Sequence, residues 1–255
     1  MRMNFLIGVA VIASITLATN ADLVSLTAMR NATLYPSADG SVANGAGQYF
    51  FAGRTNGDLI RRGLVQFDVF SAIPVGATIT GARLTLNISQ SNGGDREVSV
   101  HRALNSWTTG ASDPSGTEAS GAPALINDTT WLYRTADGAG GGLAWNNAGG
   151  DYSAYFSASL LTTTTGLQTW SSLGLLNDVR SFALDPSQNF GWFLLGDEST
   201  MGTTRRFDSA YSGSVGGIVP RLEIEFTTIP APGALALIAM TGLTGLTGFI
   251  ARRKR

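Results

Sequence analysis

Hydrophobic and polar residues alternate with a period of two over much of this chain. In the run 82–89, Leu84, Leu86 and Ile88 alternate with Arg83, Thr85 and Asn87, which predicts a strand with one buried and one wet face. The run 221–227 repeats the pattern, with Leu222, Ile224 and Phe226 inward and Arg221, Glu223 and Glu225 outward. Val65, Phe67 and Val69 alternate with Leu64, Gln66 and Asp68, and Val98 and Val100 alternate after a turn at 91–95. The run 190–195 (Phe190, Gly191, Trp192, Phe193, Leu194, Leu195) is apolar at both parities, which predicts a central strand covered on each side.

Helical periodicity is confined to one place. Val179 and Phe182 stand three apart in 177–184, Asn177 or Asp178 offers a cap, and Pro186 stops the run; a weaker turn precedes it at 173–176. Gly, Pro, Asp and Ser cluster between the strands, at 73–76, 113–116, 137–142 and 212–217. Many short strands with such turns predict an all-β fold, a β-sandwich or jelly roll, with one short helix.

The two ends follow a different rule. Arg2 precedes an apolar stretch at 5–18, and the small residues Thr19 and Ala21 then lead to an expected cut between Ala21 and Asp22. A short apolar run with a cleavable small-residue patch reads as a secretory signal peptide over 1–21, an uncleaved anchor being the alternative. At the other end 233–251 carries no charge, and Arg252, Arg253, Lys254 and Arg255 follow at once. That length matches the ~20 residues a bilayer demands of a helix, and basic clusters resist translocation. The ends therefore agree on topology, with the middle exported and the last residues cytoplasmic. Between them lies one domain, 22–228, ahead of a tail at 229–255.

Composition narrows the function classes. Charged residues are 14% of the chain, with a net charge of −1, so no basic surface argues for nucleic acid. Cys is absent, which excludes disulfides and thiolate metal sites. The single histidine, His101, falls on the outer face of its strand by alternation, and a lone surface histidine makes no catalytic triad. No nucleophile elbow, phosphate loop or zinc-protease motif occurs. Paired carboxylates of a glycosidase stay open, because their spacing in space is not a sequence property.

Two sets of candidate residues remain. Trp107, Trp131, Tyr133, Trp145 and Tyr152 fall in a loop-rich stretch with Arg134 nearby. Exposed rings with flanking polar groups are what a sugar-binding platform needs; the alternative is that these rings plug the ends of the sandwich. Asp151 beside Gly149 and Gly150, and the pair Asp197 and Glu198, are candidate calcium ligands, or else carboxylates that cap turns.

A family resemblance runs along the middle. Gly63, Leu64, Val65, Gln66, Phe67 and Asp68, then 73–79 and 82–86, look like the opening of DNRLRE-type domains. Further blocks follow in the family's order: 98–102 with 105–108, 129–134, Ala144 with Trp145, 149–152, 189–194 and 205–209, before 220–226. The resemblance implies an extracellular jelly roll similar to carbohydrate-binding modules, some relatives of which bind alginate-like polysaccharides, and usually no catalysis. Where the family often has arginine and glutamate after the serine, this chain has Ala210 after Ser209. The tail resembles a PEP-CTERM sorting signal, with Pro230, Ala231 and Pro232 where the family has Pro-Glu-Pro, then an apolar helix and a basic end. That resemblance implies an exosortase-type membrane enzyme as a transient partner and delivery to the cell surface or extracellular matrix.

Three functions follow as expectations. The first is a non-enzymatic, surface-sorted bacterial envelope or matrix protein that contacts polysaccharide. The second is a secreted polysaccharide-degrading enzyme, and the third a structural matrix or adhesin component without glycan affinity.

Overall fold

A computed structural model describes residues 21–228. The expected signal peptide, apart from Ala21, lies outside the described residues. So do Pro230, Ala231, Pro232, the apolar run 233–251, Arg252, Arg253, Lys254 and Arg255.

The described chain is mainly β with one short helix. Its strands are β1 (Ala21–Thr27), β2 (Arg30–Leu34), β3 (Val42–Ala43), β4 (Tyr49–Arg54), β5 (Ile60–Gln66), β6 (Thr78–Ser91) and β7 (Arg96–Arg102). A long excursion then holds β8 (Ala122–Pro123), β9 (Tyr133–Ala136) and β10 (Gly142–Ala144). The chain returns through β11 (Ala158–Thr162), β12 (Gly166–Trp170), α1 (Leu173–Leu184), β13 (Trp192–Leu195), β14 (Arg205–Asp208) and β15 (Arg221–Thr227). Eleven strands form one antiparallel sheet in the order β1-β15-β6-β14-β4-β5-β13-β7-β11, with β12 added on β6 and β2 on β5.

The sheet curls because both of its ends must bury apolar faces in one place. Leu222 and Ile224 from β15, Leu84 and Leu86 from β6, Val98 and Val100 from β7, and Trp192 and Leu194 from β13 share a single core. Helix α1 covers it with Leu175, Leu176, Val179 and Phe182. Trp170 Nε1 donates to Val98 O at 2.8 Å and ties β12 to β7 across the curl.

The helix differs in detail from its sequence pattern. It is one continuous element of 12 residues, and its cap is Ser172, whose hydroxyl accepts from Leu175 N. Asp178, offered above as a cap, instead accepts from Trp192 Nε1 at 2.8 Å.

A second core sits on the other face of β2, β5, β13 and β7, where Leu34, Leu64, Trp107, Trp145 and Phe193 pack together. This explains the doubly apolar run at β13: Trp192 and Leu194 face one core and Phe193 the other. The same covering acts on β5. Leu64 does not face water; its alternation with Val65 separates two cores, because the excursion between β7 and β11 covers the outer face.

Candidate functional site

The covered face is ordered by strand register. Leu195 pairs with Arg62 and with Ser99, and Phe193 pairs with Leu64 and with His101. Directly opposed residues in antiparallel strands point the same way, so Arg62, Leu195 and Ser99 form one row and Leu64, Phe193 and His101 the next. The excursion starts and ends at one point of this face, where Ala103 bridges Tyr152.

Its aromatic residues divide into two groups. Trp107 is 1% exposed, donates Nε1 to Phe190 O at 2.8 Å and has Arg30 over its ring at 4.7 Å. Trp145 is 5% exposed, donates Nε1 to Thr130 O at 3.0 Å and meets Phe193 edge-on. Neither offers a face to a ligand; both fill the space between excursion and sheet, so the platform expectation is corrected for these two. Trp131 and Tyr152 remain half-buried, with the Arg62 guanidinium 4.9 Å from one ring and 5.4 Å from the other. Tyr133 and Arg134 belong to the β9–β10 side: Tyr133 Oη donates to Gly140 O, and Arg134 holds Ser106 through its carbonyl at 2.9 Å and its hydroxyl at 2.7 Å.

The three candidate calcium ligands are engaged by protein donors. Asp151 is buried and accepts from Asn146 N, Asn147 N, Asn147 Nδ2 and Asn105 Nδ2 at 2.8–3.0 Å. Burial opposes its ionisation, but these donors outweigh burial and hold the carboxyl below its ordinary value. Asp197 closes a turn by accepting from the Ser199 hydroxyl, Ser199 N and Thr200 N. Glu198 is clasped by Arg62. The turn-capping alternative therefore describes Asp151 and Asp197, while Glu198 is held in an ion pair. Among the described residues no group of three His, Cys, Asp or Glu side chains is placed to share a metal ion. Asp128, which no sequence pattern singles out, is fully buried; its Oδ2 accepts from Leu125 N while Oδ1 has no hydrogen-bond partner among the described residues. That oxygen lies against Gly45, where an added Cβ would stand 2.7 Å away.

His101 is not on the surface. It is 8% exposed beneath Tyr152 and Phe156, because the excursion covers the face that alternation assigned to solvent. Its Nδ1 lies 2.8 Å from Ser153 O, an acceptor only, so Nδ1 carries the proton. Nε2 then accepts from the Ser99 hydroxyl at 2.9 Å. Burial pushes the imidazole below its ordinary pKa, against the Ser153 carbonyl and the Glu198 charge, which act in the other direction. A serine hydroxyl on a neutral imidazole is a nucleophile–base pair in form. Neither residue lines either of the clefts described next.

Two clefts open beside this face. One, of about 510 Å³, is lined by Arg102, Tyr155, Phe156, Asn177, Asp178 and Gln188. The other, of about 440 Å³, is lined by Arg62, Asn105, Asn146, Asn147 and Tyr152. Leu104 lines both, so the two clefts are neighbours on this surface. Tyr155 is 87% and Phe156 59% exposed, the degree of exposure that the platform expectation assigned to other rings. Their signal in the sequence is two adjacent aromatic residues between Ala154 and Ser157, just before β11. Charge is balanced within the site: Arg102 lies 4.0 Å from Asp178, and Arg62 is paired with Glu198.

No protein-family model matches this chain, and no curated protein matches it.

Proposed function

We propose that the protein is a non-enzymatic, exported component of a bacterial envelope or extracellular matrix that binds polysaccharide along the two neighbouring clefts. The observation that carries this reading is the pairing of exposed rings with polar groups on one surface. Tyr155 and Phe156 supply apolar faces for sugar rings, and Arg102, Asn177, Asp178 and Gln188 supply donors and acceptors for hydroxyls. The second cleft continues that surface with Tyr152, Arg62 and three asparagines, which suits a polymer that occupies several subsites.

The curled antiparallel sheet supports the finer fold reading, a jelly roll of the DNRLRE type similar to carbohydrate-binding modules. The export and sorting readings rest on the sequence of 1–21 and 229–255. Processing by an exosortase-type enzyme predicts a mature C-terminus near Pro230; mass spectrometry that finds Arg255 on the exported protein would count against it.

The test of binding is a glycan array with and without added calcium, run on the wild type and on a Tyr155→Ala, Phe156→Ala double variant. Weak retention by the wild type that the variant loses supports the reading. Equal retention by both removes the clefts from it, and no retention by either favours a structural matrix or adhesin role. The Ser99–His101 hydrogen bond favours a second reading, a polysaccharide-degrading enzyme. Product in a reducing-end or lyase assay would replace the first reading with the second.

A further inference from the structure

The far end of helix α1 carries a different surface. A groove of about 780 Å³ runs between the C-terminal turn of the helix, the loop after β5 and the start of β6. Phe70, Ile73, Pro74, Val75, Ile79 and Leu184 give it its apolar lining, and Arg180 is the one charged residue among those that form it. The Arg180 guanidinium is committed, donating twice to Ile79 O at 2.8 and 3.0 Å.

Three of these side chains stand in water without a folding reason. Val75 is 104%, Leu184 85% and Phe70 49% exposed. Val75 sits at the tip of a turn that Ala77 N closes on Pro74 O at 3.0 Å, with Gly76 at φ +80°. That is type II turn geometry, which places no demand for a large apolar residue beside the glycine. Apolar side chains gathered at one projecting edge mark a contact surface.

The chain's exit identifies what the surface meets. Ala21 pairs with Thr227, and Thr227 with Thr78, so both ends of the described chain leave beside Thr78 and Ile79, which line the groove. Only 229–232 separate residue 228 from the uncharged run 233–251. Fully extended, those steps span at most about 17 Å. A bilayer entered by 233–251 therefore lies within that distance of residue 228, beside the edge where Thr78 and Ile79 share the groove with Phe70, Val75 and Leu184.

We propose that this apolar edge docks into the interfacial region of a lipid bilayer, with Phe70, Val75 and Leu184 inserted at the headgroup–acyl boundary. The proposal rests on the reading of 233–251 as a membrane span. Docking here is hydrophobic rather than electrostatic: the edge offers no basic cluster, and Asp68 and Asp185 flank it as exposed carboxylates. It also sets orientation. Gly174, Asn177 and Asp178, in the first half of α1, line the aromatic cleft, while Arg180, Ala183 and Leu184 in its second half line the groove. The edge on the membrane leaves that cleft on the side away from the lipid.

The absence of cysteine makes a direct test simple. Full-length chain carrying Val75→Cys, Leu184→Cys or, as a control, Leu173→Cys is labelled with an environment-sensitive fluorophore. Each is reconstituted into phosphatidylcholine vesicles with or without brominated lipid. All three sites are exposed, so the labels leave the core intact. Labels at 75 and 184 should lose most of their fluorescence to brominated lipid and be shielded from aqueous iodide, at low and high salt alike, while the label at 173 shows neither effect. Carbonate extraction, run in parallel, reports on the membrane span. Release by carbonate defeats the span and the docking together. Retention with labels at 75 and 184 open to iodide defeats docking alone. Shielding from iodide without quenching by lipid means that protein covers the groove, whether 229–232 or a second copy, and overturns the proposal.

Discussion

The guanidinium of Arg62 grips the carboxylate of Glu198 through two parallel hydrogen bonds, Nε to Oε1 at 2.8 Å and the second nitrogen to Oε2 at 2.9 Å, across 136 positions of sequence. Its remaining nitrogen reaches Gly149 O at 2.9 Å, and its plane lies near the rings of Trp131 and Tyr152. One side chain on β5 thus ties the loop after β13 and the end of the excursion to the sheet. Only the planar fork of arginine makes both oxygen contacts and a ring contact together.

Arg62→Lys should therefore behave as a damaging substitution although it keeps the charge. Loss of the second carboxylate bond and of ring contact is expected to cost about 1 kcal/mol, and Arg62→Ala about 2 kcal/mol. Urea unfolding of the three proteins checks this. Equal midpoints for wild type and Arg62→Lys would show that the fork geometry contributes nothing.

The two groups of tryptophans should lose stability by different amounts. Trp107→Ala empties a site that is 1% exposed and orphans the Phe190 carbonyl, with an expected loss of about 3–5 kcal/mol. Trp131→Ala removes a half-buried ring whose contact with Arg62 is worth about 1 kcal/mol. Thermal melts should rank them in that order, and a larger loss at Trp131 would reverse the assignment of plug and rim.

Arg205 is fully buried without a carboxylate partner among its hydrogen bonds. It donates to the Asn92 and Gly94 carbonyls and to the Thr162 hydroxyl, holding the turn between β6 and β7 against the end of β11. Arg205→Ala empties a fully buried site and leaves the buried Thr162 hydroxyl without this donor, and about 3 kcal/mol of stability should go with them. Hydrogen exchange should quicken first at 92–96. Unchanged protection there, with a stability loss elsewhere, would contradict the clamp.

His101 makes stability depend on pH. Burial holds its folded pKa below the ordinary 6.5, so the unfolded chain binds the proton more readily. The contribution is complete above 6.5 and declines as pH falls from there through the folded value. His101→Asn keeps a donor near the Ser153 carbonyl but cannot titrate. Its stability, measured against wild type from pH 8 to pH 5, should lack the part of the slope that begins near 6.5; parallel curves would rule this out.

Much of the sheet was readable because alternation is a local property. The runs 82–89 and 221–227 lie in β6 and β15, with Leu84, Leu86, Leu222, Ile224 and Phe226 buried as their parity requires. The candidate site was less readable. Trp107 and Trp131 look alike in sequence, both in polar loops, and only the fold of the excursion buries one and leaves the other at the rim. Asp151, Asp197 and Glu198 have the oxygens a cation wants, but backbone amides and Arg62 reach them first, and those donors are set by loop conformation.

By itself, then, the sequence determined the β class of the described residues, the short helix before Pro186 and the alternation within strands, since each depends on neighbours a few residues apart. Tertiary structure alone decided that β5 and β7 have two covered faces, which turned His101 from an outward residue into a buried one. It also decided that Tyr155 and Phe156, rather than Trp107 and Trp145, stand open beside the clefts. The reason is physical: exposure is set by what packs across a residue, and here the covering excursion joins its face through contacts such as Trp107 to Phe190 and Asn105 to Asp151, which no local pattern encodes.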